Sequence, residues 1–213
     1  MYKILLSIHI AAGFTALSSA AVAVATPKGA RWHVNAGRVF VIGMAGVFLT
    51  ALPMTLIKPN LFLLLIAIFS LYLAVSGWLR ARNRSGIPTA VEWITAVAMV
   101  LAAVAMGGRG IAMCSAGHSM GIVLLVFGGI GGLLAVRDLT SLRAHRYQGN
   151  VRIAAHVGRM LGGTIAAVTA FAVVNIRVEP AFIVWLAPTG VLTPLIVYWV
   201  ARVRRGAGSA PDP

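Results

Sequence analysis

The chain has 213 residues, of which 60% are hydrophobic and 10% are charged, whereas soluble domains carry about a quarter charged residues. A net charge of +14 would indicate nucleic-acid binding in a soluble protein, but here there are only four acidic residues and the basic ones lie at the ends of apolar runs, as in a membrane protein beside anionic lipid. A single cysteine excludes an intramolecular disulfide and any multi-cysteine metal or iron–sulfur site.

Seven apolar runs have about the 20 residues that a helix needs to cross the hydrocarbon core of a bilayer. They lie at 4–25, 38–57, 61–79, 87–107, 119–136, 156–176 and 180–201. Tight hairpins are expected at 58–60 and at 177–180, where charged residues, proline and asparagine interrupt the hydropathy. The sequence therefore predicts an all-α polytopic membrane protein, a bundle of seven transmembrane helices that forms one domain over 1–205, followed by a disordered cytoplasmic tail at 206–213.

The basic residues alternate between the gaps. All but four of the 18 Lys and Arg residues fall in every second gap or in the C-terminal segment. The four on the other side are Lys3, Lys58, Arg109 and Arg177. Because cytoplasmic segments carry an excess of Lys and Arg, we expect the N-terminus outside and the C-terminus in the cytoplasm. The first apolar run exceeds the 7 to 15 residues of a signal-peptide core, so residues 4–25 are expected to remain as a helix.

Five histidines are candidates for function, since imidazole is costly in lipid and is a common metal ligand. His9 and His118 are predicted near the outer face, His33 and His156 at the cytoplasmic face, and His145 in a solvated basic loop. Two histidine pairs at two depths match a diheme cytochrome b arrangement, in which each iron takes two neutral imidazoles and electrons cross the bilayer. Heme b is the cofactor that this pattern predicts.

Arg38 and Arg159 follow the inner histidines closely, and we expect them to hold the heme propionates, which need cationic donors. The familiar diheme pattern places two histidines about a dozen residues apart on one helix, and no span here does so. The alternative is structural: His9 would hydrogen-bond a neighbouring helix, while His33 and His156 would cap helix ends at the headgroups.

A small group of soft ligands lies on the outer side. Met113, Cys114, His118 and Met120 carry the thioether, thiol and imidazole groups that favour a copper(I) ion. The alternative is that these methionines are ordinary apolar residues of two helices and the loop between them.

Glu92 is predicted to be the only acidic residue inside a span. An intramembrane carboxylate is a candidate proton or cation site. Its structural alternative is a salt bridge to Arg38 or Arg159, which are predicted at a similar depth.

The start of the sixth span carries a recognisable motif. It reads His156, Val157, Gly158, Arg159, Met160, Leu161, Gly162, Gly163, and continues through Ile165, Ala166, Thr169, Ala170, Phe171, Val173, Val174 and Asn175. Further matching elements are Lys28, Gly29, His33, Gly37 and Arg38, the segments 60–72 and 128–138, Gly77, and Trp185, Pro188, Thr189, Pro194, Tyr198 and Trp199. The chain thereby resembles a bacterial family of membrane proteins catalogued as domain of unknown function 2306. The resemblance implies a bacterial multi-span membrane protein and no established activity.

Two motifs of the common soluble enzymes are absent from the sequence. It has no glycine-rich loop before a Lys-Ser or Lys-Thr pair and no HExxH. The function predicted is therefore that of an integral inner-membrane protein with heme-based transmembrane electron transfer. Two alternatives remain open: a small transporter or proton-coupled permease that uses Glu92, and a structural partner of another membrane complex. The expected partners are the lipid bilayer and a membrane protein or second copy, and nucleic acid is not expected.

Overall fold

A computed structural model describes residues 1–206, which form seven helices and no strand. The helices are α1 (Tyr2–Ala25), α2 (Arg31–Ile57), α3 (Leu61–Arg82), α4 (Ala90–Ser115), α5 (Gly121–Arg143), α6 (Gly149–Asn175) and α7 (Phe182–Arg204). All seven are long and apolar enough to cross a membrane, which confirms the predicted number of helices and suggests a multi-pass membrane protein. Apart from Gly206, the predicted tail at 206–213 lies outside the described residues.

Four helices extend about two turns beyond the predicted apolar runs. The helix α2 begins at Arg31 rather than at 38, and α6 begins at Gly149 rather than at 156. The helix α4 continues to Ser115 rather than to 107, and α5 continues to Arg143 rather than to 136. Hydropathy marks only the apolar part of a helix, and the helical backbone continues where arginine side chains can reach the headgroup region. These extensions place several polar residues on helices rather than in loops.

The helix α3 lies at the centre of the bundle and contacts α2, α4, α5 and α6. On one side, α3 packs with α4 and α5 around a core that includes Phe69, Met99 and Phe127. On the other side it packs with α1, α2 and α6 around Phe40 and Met44. The bundle therefore has two apolar cores that share one central helix.

Glycine permits the close approach of α3 and α6. A Cβ atom on Gly77 would lie 3.0 Å from Cγ of Met160, so a larger residue would push the two helices apart. The two helices run in opposite directions, since Gly162 and Gly163, further along α6, face Leu73 and Ala74, which come earlier on α3.

The helices α2 and α6 run in the same direction. Gly37 faces Met160, and Phe40, one turn further on, faces Gly163. Both helices therefore begin at the same end of the bundle, which also contains the last turns of α1, α3, α5 and α7. We call it the basic end, because most of the Lys and Arg residues lie there.

Candidate functional site

A pair of histidines lies between α2 and α6 at the basic end. His33 is in the first turn of α2, and His156 lies seven residues into α6, about 10 Å along the helix. The centroids of the two rings are 6.4 Å apart, and the ring planes are nearly perpendicular, at 85°. The structure therefore brings together the two histidines that the sequence placed at the cytoplasmic face.

Each histidine of this pair is oriented by one backbone carbonyl. Nδ1 of His33 lies 2.9 Å from the carbonyl oxygen of Ala23 at the end of α1, and Nδ1 of His156 lies 2.9 Å from that of Gly77 in α3. A carbonyl oxygen can only accept, so each Nδ1 carries the hydrogen. In the neutral ring Nε2 then keeps its lone pair, as it does in a histidine that ligates a metal.

The separation of the rings indicates which kind of metal centre they suit. With metal–nitrogen bonds of about 2 Å, two imidazoles on opposite sides of one metal have ring centroids about 6 Å apart, whereas tetrahedral neighbours lie closer. The observed 6.4 Å fits the opposed arrangement. Among residues 1–206 no group of three or more His, Cys, Asp and Glu side chains is placed to hold a metal. A metal ion held by these two histidines would take its remaining ligands from a cofactor, as heme iron does.

The outer histidines are not brought together. Nδ1 of His9 lies 2.9 Å from Oγ1 of Thr50, whose hydroxyl is 2.7 Å from the carbonyl oxygen of Gly46 and donates to it. His9 therefore donates to a neighbouring helix, which is the structural alternative expected from the sequence. His118 is exposed in the connection between α4 and α5, and α1 contacts neither of those helices in the part of the chain described.

The arginines expected to hold propionates lie elsewhere. Arg38 is exposed and follows His33 by five residues, so it lies about 140° around the axis of α2, on the opposite face. Arg159 is only 5% exposed, and its Nη2 lies 2.6 Å from Oδ1 of Asp138. Both arginines are close to the histidines in sequence. Arg38 nevertheless projects from another face of its helix, and Arg159 is already bound to Asp138.

Asp138 is the centre of a buried polar network. Its Oδ2 accepts a hydrogen bond of 2.5 Å from the hydroxyl of Tyr72, and its Oδ1 accepts one from the hydroxyl of Tyr147. Arg159 contacts both oxygens.

The expectation that Glu92 is the only carboxylate inside a span is therefore wrong, because α5 continues past 136 and carries Asp138 into the bundle. The sequence indicated this position only by the presence of one acidic residue, Asp138, close to the apolar residues Val136 and Leu139.

Glu92 forms the second buried ion pair at this end. Its Oε1 lies 2.9 Å from Nη2 of Arg80, and its Oε2 accepts hydrogen bonds from Asn83 and from the backbone nitrogen of Thr89. The reciprocal bonds with Thr89 form a capping box that begins α4. A salt bridge was the structural alternative, but its partner is Arg80 rather than Arg38 or Arg159, because α4 packs against α3 and not against α2 or α6.

Tyr147 connects the two ion pairs. The guanidinium of Arg80 lies 3.9 Å from the centroid of its ring, and its hydroxyl donates to Asp138. Burial raises the pKa of Tyr147 to about 12; Arg159 opposes the shift and Asp138 adds to it. The phenol therefore stays a hydrogen-bond donor at neutral pH.

The four soft ligands of the outer side are divided between core and surface. Met113 and Met120 pack against the core formed by α3, α4 and α5. Sγ of Cys114 faces Gly121 at a close approach of α4 and α5, and His118 is exposed. The methionines thus have the packing role that was the alternative to copper binding.

No protein-family model matches this chain, and none of the curated proteins or solved structures matches it.

Proposed function

We propose that this chain is a bacterial inner-membrane protein that binds one heme b at its basic end through His33 and His156 and exchanges electrons there. The observation that carries the proposal is the pair of imidazoles with ring centroids 6.4 Å apart, each with Nδ1 bonded to a carbonyl and Nε2 left for a metal. This is the bonding that orients axial histidine ligands in proteins.

Coordination by two histidines favours electron transfer over other heme chemistry. With His33 and His156 both holding the iron, a heme bound here would supply one-electron exchange rather than binding of oxygen or a substrate. Without an outer histidine pair, one heme near one face serves exchange with a partner at that face. The diheme path across the bilayer that the sequence suggested has less support.

The distribution of Lys and Arg supports a cytoplasmic position for the basic end, with the N-terminus outside. The motif that begins at His156 supports membership of the family catalogued as domain of unknown function 2306. That motif supplies one of the two proposed ligands, and Gly77, the acceptor for its ring, also belongs to the elements that carry the resemblance.

A proton-coupled permease that uses Glu92 has less support. Both oxygens of this carboxylate are engaged by Arg80, Asn83 and Thr89, and the residue is 1% exposed. A carboxylate that exchanges protons or cations during transport needs access to water or to a cavity.

The test is an absorption spectrum of the full chain purified in detergent from heme-replete cells, air-oxidised and then reduced with dithionite. We expect sharp reduced bands and a pyridine hemochrome value near one heme per chain. His33→Ala and His156→Ala should each lose the heme. The matched controls His9→Ala and His118→Ala should keep it. A colourless protein, or heme retained in the double variant of His33 and His156, would contradict the proposal.

A further inference from the structure

The histidine pair has cations near it and no carboxylate to offset them, because the two buried carboxylates at the basic end are already paired with other arginines. Among the described residues, the salt bridges join Arg80 to Glu92 and Arg159 to Asp138. Of the remaining acidic residues, Glu179 lies at the opposite end between α6 and α7, and Asp212 is outside the described range. No described carboxylate therefore offsets the cations next to the histidines.

Arg152 is the cation that lies beside His156. It precedes His156 by four residues, so both side chains project from one face of α6. Both also contact α3: Nη1 of Arg152 lies 2.7 Å from the carbonyl oxygen of Arg80 and 2.9 Å from that of Ala81, one turn beyond the Gly77 carbonyl that His156 contacts. The guanidinium is thus held in place next to the histidine pair.

The bonding of Arg152 leaves part of its guanidinium available. Within the described residues only Nη1 donates, so Nη2 and Nε remain for an acceptor. Arg84, in the connection after α3, acts on Arg152 as a like charge. Two neighbouring cations with no carboxylate between them favour an anion from outside the chain, and the planar guanidinium suits a carboxylate or a phosphate.

Lys28 is also close to the pair, but it has a different role. Its Nζ donates to the carbonyl oxygens of Ala23, Val24 and Thr26, so its three hydrogens are engaged in closing the end of α1. Because the Ala23 carbonyl also accepts from His33, Lys28 fixes the position of that acceptor.

We infer that Arg152 binds the acidic groups of the ligand that His33 and His156 hold, which are the propionate carboxylates if that ligand is heme. This inference rests on the proposed function and replaces the two arginines suggested by sequence spacing. The carboxylate would accept from Nη2 and Nε, while Nη1 keeps its bonds to α3.

The test compares hemin with hemin dimethyl ester, which lacks the free carboxylates. Full-length apoprotein from heme-deficient cells, in nanodiscs of neutral phosphatidylcholine, is titrated with each compound and followed by the Soret absorption. The wild type should bind hemin more tightly than the ester. Arg152→Gln should weaken hemin binding about a hundredfold, the value of two charge-assisted hydrogen bonds, and leave ester binding unchanged. Arg152→Lys should recover part of the loss, and the exposed Arg143→Gln should behave as wild type.

The outcomes separate the alternatives. Equal weakening of hemin and ester in Arg152→Gln would show that Arg152 only supports the α3–α6 contact, and would overturn the inference. A wild type that binds both compounds equally would also overturn it. If the effect of Arg152→Gln appears only in nanodiscs with phosphatidylglycerol, the residue binds a lipid phosphate, and the inference fails. Binding of neither compound by the wild type would remove the proposed function itself.

Discussion

Two polar regions lie at the same end of the bundle, and they differ in how completely their groups are bonded. In the ion-pair network every oxygen of Asp138 and Glu92 accepts at least two hydrogen bonds or ionic contacts. In the histidine pair each ring makes one bond to a carbonyl and leaves Nε2 for another partner. Buried charges in a membrane bundle must be paired, so the network is structural, whereas the unfilled capacity of the histidines indicates a binding site.

The largest expected effect is on the network. Asp138→Asn leaves Arg159 buried without a counter-charge, which costs about 3 to 5 kcal/mol in comparable buried pairs. We expect the free energy of unfolding, measured by titration with sodium dodecyl sulfate, to fall by that amount. Glu179 is exposed, so Glu179→Gln is the control and should leave the free energy of unfolding unchanged. A fully stable Asp138→Asn protein would show that the pair is not structural.

A smaller effect is expected where the two regions meet on α3. In Gly77→Ala the new methyl group would lie 3.0 Å from Cγ and Sδ of Met160, and separating α3 from α6 should cost about 1 to 3 kcal/mol. Because the Gly77 carbonyl holds His156, heme retention should fall too. Gly107→Ala, in the interior of α4 with nothing within 4 Å, is the matched control and should be neutral or slightly stabilising. Unchanged stability and heme content in Gly77→Ala would contradict this packing.

Tyr147→Phe should cost about 1 kcal/mol at neutral pH, since it removes one hydrogen bond to Asp138. The pH dependence is more specific. The pKa of Tyr147 is raised to about 12 in the folded protein from 10 in the unfolded chain, so its contribution is complete below pH 10 and is lost as the pH rises toward 12. Between these values the wild type should lose stability more steeply than Tyr147→Phe. Parallel curves for the two proteins would mean that the phenol is not a buried donor.

The smallest effect on stability is expected from the histidine pair. His33→Ala in the apoprotein removes one hydrogen bond to the Ala23 carbonyl and should cost about 1 kcal/mol or less. Apoprotein stability is measured by the same titration. A loss as large as that of Asp138→Asn would remove the distinction between the two regions.

The sequence predicts the number of helices well, because seven runs of sufficient apolar length leave little room for another arrangement. It predicts the helix ends poorly, since polar turns at the basic end look like loops, and Asp138 was missed for that reason. Which helices are lateral neighbours cannot be read from the sequence. His33 and His156 meet because α2 and α6 face each other in parallel. His9 lies on α1, which contacts neither of the helices that His118 connects.

The measurement that tests the central claim most directly is the low-temperature electron paramagnetic resonance spectrum of the ferric protein. A ferric heme held by both imidazoles would be low-spin, and ring planes near 85° would give its signal an unusually large g anisotropy. We predict that signal in the wild type and its loss in His33→Ala and in His156→Ala. A high-spin signal in the wild type, an ordinary low-spin signal that survives both substitutions, or no heme signal would contradict the account.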